Sequence, residues 1–417
     1  MAVSLPQLPI EVLITDPHRG GLAAARSLAR RGIPLLVLES DPHNLVFHSH
    51  LVKHVLRCPS SLDEPEAFFQ FALEAIRKYQ IRLVFPIGDP SQIVFDRFRD
   101  LLPPTVKLAM PGHEATRSVL DKRINLAVAR RAGVPCPRQF DLTSPEQIPE
   151  MVRALGFPVV LKRPGLASDP AVPAFAFRVL YAHNLEELRR YIDQFCHPGM
   201  YPLFQEFVDG QIHNLCCFAA KGELVAVHQY RSIRRWEGTG VLREVVEADP
   251  DLVKHARNLL GALNWDGPAH LGFFVSPDHK QKWYMETNGR IWASVQGSIY
   301  AGWDFPFWVY DYFSHGKIPD PPPIQIGSRT CWHQADLAAL IRYLGGGEVA
   351  ATGTRPGKLQ AVFQYLSGFA PNIHSEVFQW RDPLPELMDH WELLGRLWNR
   401  ARHQPEQIHP RATLSAG

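Results

Sequence analysis

The segment KWYMETNGR (282–290) decides how this sequence is interpreted. It follows the apolar run AHLGFFV (269–275) after a short connection, and two such strands joined by a short turn predict an antiparallel pair. Side chains at i and i+2 of a strand share a face, so Glu286, Asn288 and Arg290 converge. A carboxylate and an amide oxygen suit Mg²⁺, and a guanidinium can bind a phosphate through two hydrogen bonds. An exposed strand with alternating polar residues would look the same, so the motif alone leaves both interpretations open.

The composition is that of an ordinary globular protein. The chain has 417 residues, 46% hydrophobic and 21% charged, which is enough for two or three domains. Its 44 Lys and Arg against 42 Asp and Glu give a net charge of +2, so no global field recruits nucleic acid or an anionic membrane. No apolar run approaches the roughly 18 residues of a membrane span, and no signal peptide is recognised. The six cysteines contain no C-x-x-C pair, so we expect a cytoplasmic protein without a disulfide framework or a zinc site.

The order of apolar segments predicts two kinds of sheet. Strands at 11–15, 34–39 and 81–87 alternate with helices, which predicts a parallel sheet of α/β type. Later strands follow one another after short turns, which predicts an antiparallel α+β region. The expected parts are a Rossmann-like domain at 1–115, an α+β domain at 116–315 with subdomains of about 116–200 and 201–315, a mostly helical region at 316–405 and a disordered tail at 406–417.

Further polar residues precede the first motif in a fixed order. Lys122 begins a helix, Lys162 ends the apolar strand PVVLK, and the segment QEFVDG (205–210) follows about forty residues later. Together with E-x-N-x-R this series resembles the ATP-grasp superfamily, most closely its carbamoyl-phosphate-synthetase-like carboligase (carboxylate–amine ligase) branch. The resemblance covers about 310 of the 417 residues, and its matching stretches are LDKRINLAVARRAGVPCP (120–137), GFPVVLKRP (156–164), FQEFVDG (204–210), HQYRSIRRWEGTG (228–240), GPAHLGFF (267–274) and WYMETNGRIWASV (283–295).

The resemblance implies a fold and a set of roles. Residues 1–115 would be the domain that precedes ATP-grasp in such enzymes, and 116–315 would be the two-subdomain ATP-grasp fold. Glu286 and Asn288 would hold Mg²⁺ or Mn²⁺, and Arg290 would lie at the reacting phosphoryl group with two further basic residues. The remaining residues with implied roles are Lys122 and Lys162 at the ATP phosphates, Gln205, Glu206, Phe207 and Val208 at the adenine, and Arg231 and Arg234 near the γ-phosphate and the acyl phosphate.

The sequence departs from the family pattern at three places. Gly272 stands where the strand before the metal motif usually offers an acidic or amide ligand. Ile212 stands where a glutamate often takes the ribose hydroxyls, and His213 or Gln211 would have to replace it. The loop after Lys162 also lacks the double glycine of many members.

The sequence therefore predicts an ATP-dependent ligase that joins a carboxylic acid to an amine or amino acid through an acyl phosphate. Its partners would be these small molecules, with no nucleic acid or membrane, and a homo-oligomer is left open. Asp89, at the end of a predicted strand, would either touch the second substrate or cap a turn. The main alternative is a nucleotide-binding protein without catalysis, suggested by Gly272 and Ile212. A nicotinamide oxidoreductase is disfavoured because the turn DPHRGG (16–21) is not G-x-G-x-x-G.

Overall fold

The computed structural model describes residues 9–165, 175, 177–197, 199–236, 239–346 and 357–402, with side chains up to residue 395. Most of the predicted loop after Lys162 and the predicted tail at 406–417 lie outside the described residues.

The first sheet contains five parallel strands in the order β3-β2-β1-β4-β5, as the alternating pattern predicts. Its central strand has the sequence VLIT, and every side chain of this strand is buried because helices cover both faces of the sheet. The elements are β1 (Val12–Thr15), α1 (Arg19–Arg30), β2 (Leu35–Glu39), β3 (Val55–Arg57), α2 (Pro65–Tyr79), β4 (Leu83–Pro86), α3 (Asp89–Arg97) and β5 (Lys107–Leu108).

A four-stranded antiparallel sheet follows, in the order β6-β9-β7-β8. Two helices lead into it, and helices α6 and α7 bury apolar side chains against it. The elements are α4 (His113–Leu120), α5 (Lys122–Arg131), β6 (Gln139–Phe140), α6 (Ile148–Leu155), β7 (Val159–Lys162), β8 (Val179–Ala182), α7 (Leu185–Phe195) and β9 (Leu203–Glu206).

The third sheet has seven strands in the order β14-β13-β10-β11-β12-β15-β16 and is antiparallel except for its last pair. One of its faces packs on α5 and α8, and the other shares a core with the first sheet through α1, α9 and α10. The elements are β10 (Gln211–Ala220), β11 (Glu223–Trp236), β12 (Thr239–Val246), α8 (Pro250–Ala262), β13 (Gly267–Val275), β14 (Lys282–Asn288), α9 (Val295–Tyr300), α10 (Phe305–His315), β15 (Arg329–Cys331), α11 (His333–Leu344), α12 (Lys358–Leu366), β16 (Ile373–Ser375) and α13 (Leu384–Arg402).

The structure differs from the sequence pattern at three places. The sequence pattern at 118–131 predicts one helix, but the structure divides it at Asp121. The extended backbone of Asp121 ends α4, and its side chain accepts a hydrogen bond from the Arg123 N–H at 2.7 Å and so caps α5. Strand β9 lies after residue 201 but pairs with β7, so the chain leaves the four-stranded sheet only after Glu206. The mostly helical C-terminal region also contributes β15 and β16 to the seven-stranded sheet. None of the helices in the described part of the chain is long and apolar enough to cross a membrane.

Candidate functional site

A cleft of about 550 Å³ lies between the carboxyl ends of β1, β2 and β4 and the end of β14. The loops after the three parallel strands provide one wall, and E-x-N-x-R provides the opposite wall. The carboxyl edge of a parallel sheet is the usual place for a ligand because the connecting loops leave a crevice there. The polar residues that line the cleft are Asp16, His18, Glu39, Ser40, Asp41, Asn44, Ser60, Ser61, Asp89, Gln92, Lys122, Arg163, Arg178, Glu286, Thr287, Asn288 and Arg290.

The strand register places the side chains of Glu286 and Asn288 on one face. Glu286 pairs with Gly272 and Asn288 pairs with His270, so both project from the side of the seven-stranded sheet that faces the first sheet. Burial lowers the pKa of His270 to about 3, so its ring is neutral. Asn288 Nδ2 lies 3.4 Å from His270 Nδ1, a contact that uses the amide nitrogen rather than the amide oxygen.

Three cations surround Glu286. Lys122 Nζ lies 3.6 Å from Glu286 Oε2. Burial alone would raise the pKa of Glu286, but the charges of Lys122, Arg178 and Lys162 outweigh it and hold this pKa below its ordinary value. The carboxylate is therefore ionised, and the excess of positive charge around it suits a polyanion.

The two lysines come together because α5 is tied to the end of β7. The backbone N–H of Lys122 donates to the carbonyl oxygen of Pro164 at 2.7 Å, which fixes the start of α5 beside Lys162. Burial and the nearby Lys122 lower the pKa of Lys162 to about 8. Lys162 Nζ also lies 5.8 Å from the ring centroid of Phe274, so it faces the seven-stranded sheet across the gap between the two antiparallel sheets.

Arg290 links the two walls of the cleft. It forms an ion pair with Asp89, the first residue of α3, and its Nη2 donates to Asp89 Oδ2 at 3.2 Å. Gln92 Nε2 donates to the carbonyl oxygen of Gly289 at 2.8 Å, a second link between α3 and the motif. Gly289 is required here because a Cβ would lie 2.7 Å from Trp265 Cη2. Asp89 therefore contacts the motif and does more than cap a turn.

His18 places a second donor beside Arg290. Its Nδ1 accepts a hydrogen bond from the Gly20 N–H at 2.9 Å and caps α1. Burial and the charges of Arg290 and Arg19 hold the pKa of His18 well below its ordinary value, so the ring is neutral and its single proton is on Nε2. Nε2 lies 3.3 Å from Arg290 Nη1. Both nitrogens then carry hydrogen, which suits them to an anionic oxygen bound between them.

The residues expected at the adenine lie at the end of β9. Gln205 is buried, whereas Glu206 pairs with Arg138 through both its backbone and its carboxylate. Phe207 is exposed and makes an edge contact with Tyr181 at a centroid distance of 6.2 Å, and Val208 is half-buried. The role of these four residues as nucleotide contacts remains a prediction.

Three predicted residues lie away from the cleft. His213 and Arg231 pair with each other on the face of the sheet that packs on α8, because they alternate with the residues that face the cleft. His213 Nδ1 contacts Gln229 Nε2 at 2.7 Å, and burial lowers the pKa of His213 to about 4. Arg231 pairs with Glu244, which also binds Arg329.

Arg234 is directed towards the C-terminal region. It pairs with Asp336 of α11, and its Nη1 donates to the carbonyl oxygen of Gln364 at 2.6 Å. The structure thus does not bring Arg231, Arg234 or His213 to Glu286, and we leave these three residues out of the proposed site.

Two functional candidates were missed by the sequence analysis. Asn214 shares the face of Gly272 and Glu286, and its Oδ1 lies 3.6 Å from the position of a Cβ on Gly272. Arg178 precedes β8, and its charge lowers the pKa of Glu286. A long connection separates Arg178 from β7, so the sequence does not indicate that it lies near Glu286. Only the alternation along β10 could have indicated Asn214, once the register of that strand was known.

The residues fit one hard cation better than two. A Cβ on Gly272 would lie 2.6 Å from Met285 Cε, so Met285 fills the space of the usual ligand. Among the described residues there is no group of three or more His, Cys, Asp or Glu side chains that could hold a metal. One ionised carboxylate with the amide oxygens of Asn288 and Asn214 still matches Mg²⁺, which is commonly held by one or two carboxylates and substrate phosphates.

Comparisons with known proteins agree on the fold. No protein-family model matches the sequence, and no curated protein is significantly similar to it. Biotin carboxylase from Campylobacter jejuni superposes with a TM-score of 0.62 at 15% identity, over 77% of this chain and 74% of that one. N5-carboxyaminoimidazole synthetase from Staphylococcus aureus, complexed with ADP, gives 0.62 at 12% identity over 83% and 89% of the two chains. L-amino acid ligase from Bacillus licheniformis gives 0.54 at 14% identity over 74% and 75%.

These three proteins have the ATP-grasp fold, and the fold of this chain agrees with theirs. The chain has the ATP-grasp fold.

Proposed function

We propose that the protein is an ATP-dependent ligase that joins a carboxylic acid to an amine through an acyl phosphate. The observation that carries this proposal is the cleft in which Lys122 and Arg178 lie beside the ionised Glu286, with the charge of Lys162 close by, while Arg290 links the motif to the first sheet. The proteins of similar fold include an L-amino acid ligase and a synthetase complexed with ADP.

In this proposal ATP binds between the four-stranded and seven-stranded sheets. The adenine lies near the end of β9, where Gln205 to Val208 would read it, and Lys162 and Phe274 define the gap that it enters. Lys122 and Arg178 bind the phosphates next to Glu286. Glu286 and Asn288, with Asn214 beside them, would hold Mg²⁺, which supplies charge neutralisation for the phosphates.

The acid binds at His18 and Arg290. The Nε2–H of His18 and the guanidinium of Arg290 both donate to its carboxylate, and Asp89 holds Arg290 in position. One carboxylate oxygen attacks the γ-phosphorus of ATP, the bond to the bridging oxygen breaks, and ADP and an acyl phosphate result. The amine then attacks the acyl carbon and expels phosphate. Placing fixed donors where charge develops is the main contribution that a protein makes to such a transfer.

The wall opposite the cations suits the amine. Asp16 and Glu39 line the cleft at the ends of β1 and β2. Burial raises the pKa of Glu39 to about 8, so its carboxyl group exchanges a proton near neutral pH. An amine must lose a proton when it forms an amide, and a group that titrates near the working pH serves this step best.

The alternative function is nucleotide binding without turnover. It is favoured by Gly272, whose neighbourhood is filled by Met285, and by Ile212, which cannot bind ribose hydroxyls. The arrangement of His18, Arg290 and Asp89 argues for catalysis, because a protein that only binds ATP has no need of an anion site beyond the phosphates.

The test is an ATP-consumption screen. The protein is incubated with ATP, Mg²⁺ or Mn²⁺, and pooled carboxylic acids with pooled amines, and ADP is measured. ADP release that requires one acid and one amine, and that is lost in Glu286→Gln but kept in the exposed control Glu247→Gln, supports the ligase. ATP binding without ADP release in any pool supports the alternative, and absence of ATP binding refutes both.

A further inference from the structure

The exposed face of the last helix is apolar. The face of α13 that packs on the protein carries Glu386 and Asp389 beside Leu393, and all three side chains are buried. Glu386 lies 3.4 Å from His333 Nδ1, and Asp389 accepts a hydrogen bond from Trp332 Nε1 at 3.1 Å. Surface helices usually turn apolar residues inward and polar residues outward. Here the outward residues are the apolar ones.

We name these outward residues the α13 stripe. It consists of one residue of the preceding turn and four residues of the helix, with these exposed fractions: Trp380 89%, Leu384 46%, Leu387 61%, Trp391 70% and Leu394 54%. Single exposed apolar residues are normal on a protein surface, but a continuous row that includes two tryptophans marks an interaction site. Tryptophan is also among the residues that contribute most to binding energy at interfaces.

The spacing of the stripe identifies the kind of partner. Leu384, Leu387, Trp391 and Leu394 recur at intervals of three, four and three residues, which is the seam of a helix that packs along another helix. The residues next to the seam are neutral or small, namely Met388, His390 and Gly395. Two copies of this helix can therefore pair about a two-fold axis without facing like charges.

The exposed area is sufficient for a dimer. Large aromatic side chains carry about 150–250 Å², so the five residues expose roughly 700 Å². Each partner of a standard interface buries about 800 Å², so the stripe accounts for most of one side.

A membrane surface is the other occupant to be tested. Between Leu384 and Leu394 the helix has neither Lys nor Arg, but its end carries Arg396, Arg400 and Arg402, and helices that bind membrane surfaces carry basic residues on the polar face. The C-terminal segment after the described residues is poor in large apolar side chains, since residues 403–417 contain only Ile408 and Leu414. It cannot match a stripe of five such residues.

We propose that the α13 stripe is the interface of a homodimer related by a two-fold axis. The proposal is independent of the proposed ligase activity, because it rests on α13 and not on the cleft. It places the C-terminal regions of two copies side by side.

The test is the mass of the full chain by light scattering after size exclusion, at about 20 µM, where interfaces of this size are occupied. We expect twice the monomer mass of 47.2 kDa for the wild type. Leu387→Glu with Trp391→Glu should give the monomer, since burying unpaired carboxylates weakens the dimer by about a hundred-fold or more. The control Leu101→Glu changes an equally exposed leucine of the first domain and should leave the dimer intact.

Circular dichroism and thermal unfolding establish that each variant is folded, and Leu387→Gln is a milder variant should the double change fail to fold. A wild-type monomer at this concentration overturns the proposal. It is also overturned if the folded stripe variant remains a dimer. If the wild type is a monomer, truncation after residue 402 that yields a dimer would show that the C-terminal segment covers the stripe. Sedimentation of a monomeric wild type with vesicles of phosphatidylcholine and phosphatidylserine would show that the stripe binds a membrane.

Discussion

Lys162 offers a test in which stability and nucleotide binding change in opposite directions. Burial and the neighbouring Lys122 lower its pKa from 10.5 to about 8. A change of one in pKa corresponds to about 1.4 kcal/mol, so a difference of about 2.5 corresponds to a free-energy cost of at most about 3.5 kcal/mol for the charged form in the folded protein. The side chain keeps some contact with solvent, so we expect its charge to cost the free protein about 1–3 kcal/mol at neutral pH.

Lys162→Met removes this charge and keeps the length of the side chain. We expect the variant to be more stable than the wild type by about 1–3 kcal/mol at pH 7 and to bind ATP at least about ten-fold more weakly, because a charged hydrogen bond to phosphate is lost. The native pKa lies below the unfolded one, so the unfolded state binds more protons between pH 8 and 10.5 and wild-type stability rises with pH in that range. The advantage of the variant is therefore complete below pH 8 and disappears towards pH 10.5.

Urea unfolding at pH 7 and pH 10 measures the stability, and calorimetric titration with ATP and Mg²⁺ measures the affinity. Lys254→Met, which changes an exposed lysine of α8, is the matched control and should alter neither quantity appreciably. A Lys162→Met variant that is less stable at pH 7, or whose stability difference does not depend on pH, would refute the reasoning.

Three further changes probe the candidate site and the buried ion pair between Arg26 of α1 and Asp382. Glu286→Gln should reduce the gain in ATP affinity that Mg²⁺ provides by about ten-fold or more, since one charged ligand is lost. Calorimetric titration with ATP, with and without Mg²⁺, measures this gain, and an unchanged gain contradicts the assignment of Glu286 to the metal. Asp89→Asn should lower kcat by about ten-fold with little change in KM for ATP, because Arg290 loses its charged partner. Steady-state kinetics on the substrates found by the screen measure both constants, and an unchanged kcat would show that Asp89 does not position Arg290. Arg26→Met should lower the free energy of unfolding by about 3–5 kcal/mol, because Asp382 is left buried without its ion pair. Burial raises the pKa of Asp382, but hydrogen bonds from Ser49 and Arg26 hold this pKa below its ordinary value. The stabilisation should therefore persist above about pH 4 and be lost in stronger acid, which urea unfolding from pH 3 to pH 7 will show.

The sequence predicted those features that depend on neighbouring residues. The buried strands of the first sheet are continuous apolar runs, and the convergence of Glu286 and Asn288 follows from their spacing alone. Lys122 and Lys162 were predicted by family resemblance, and the structure adds the hydrogen bond from Lys122 to Pro164 that brings them together.

Features that depend on register could not be predicted in this way. Along β10, His213 and Asn214 differ by one residue and so face opposite sides of the sheet, and the sequence does not say which side is which. Arg231 and Arg234 were placed at the phosphates by family resemblance, but their partners Glu244 and Asp336 lie 13 and 102 residues away in the sequence. The exposed side of α13 was hidden for the same reason, since a helical pattern does not show which face is packed.

The most direct test of the proposed chemistry is to trap the acyl group. The protein is incubated with ATP, Mg²⁺, pooled carboxylic acids and hydroxylamine, and the products are identified by mass spectrometry. We expect one hydroxamate, formed in equal amount with ADP and lost in Arg290→Met. Hydroxamate formed with AMP instead of ADP, or ADP formed without any hydroxamate, would contradict an acyl phosphate made at this site.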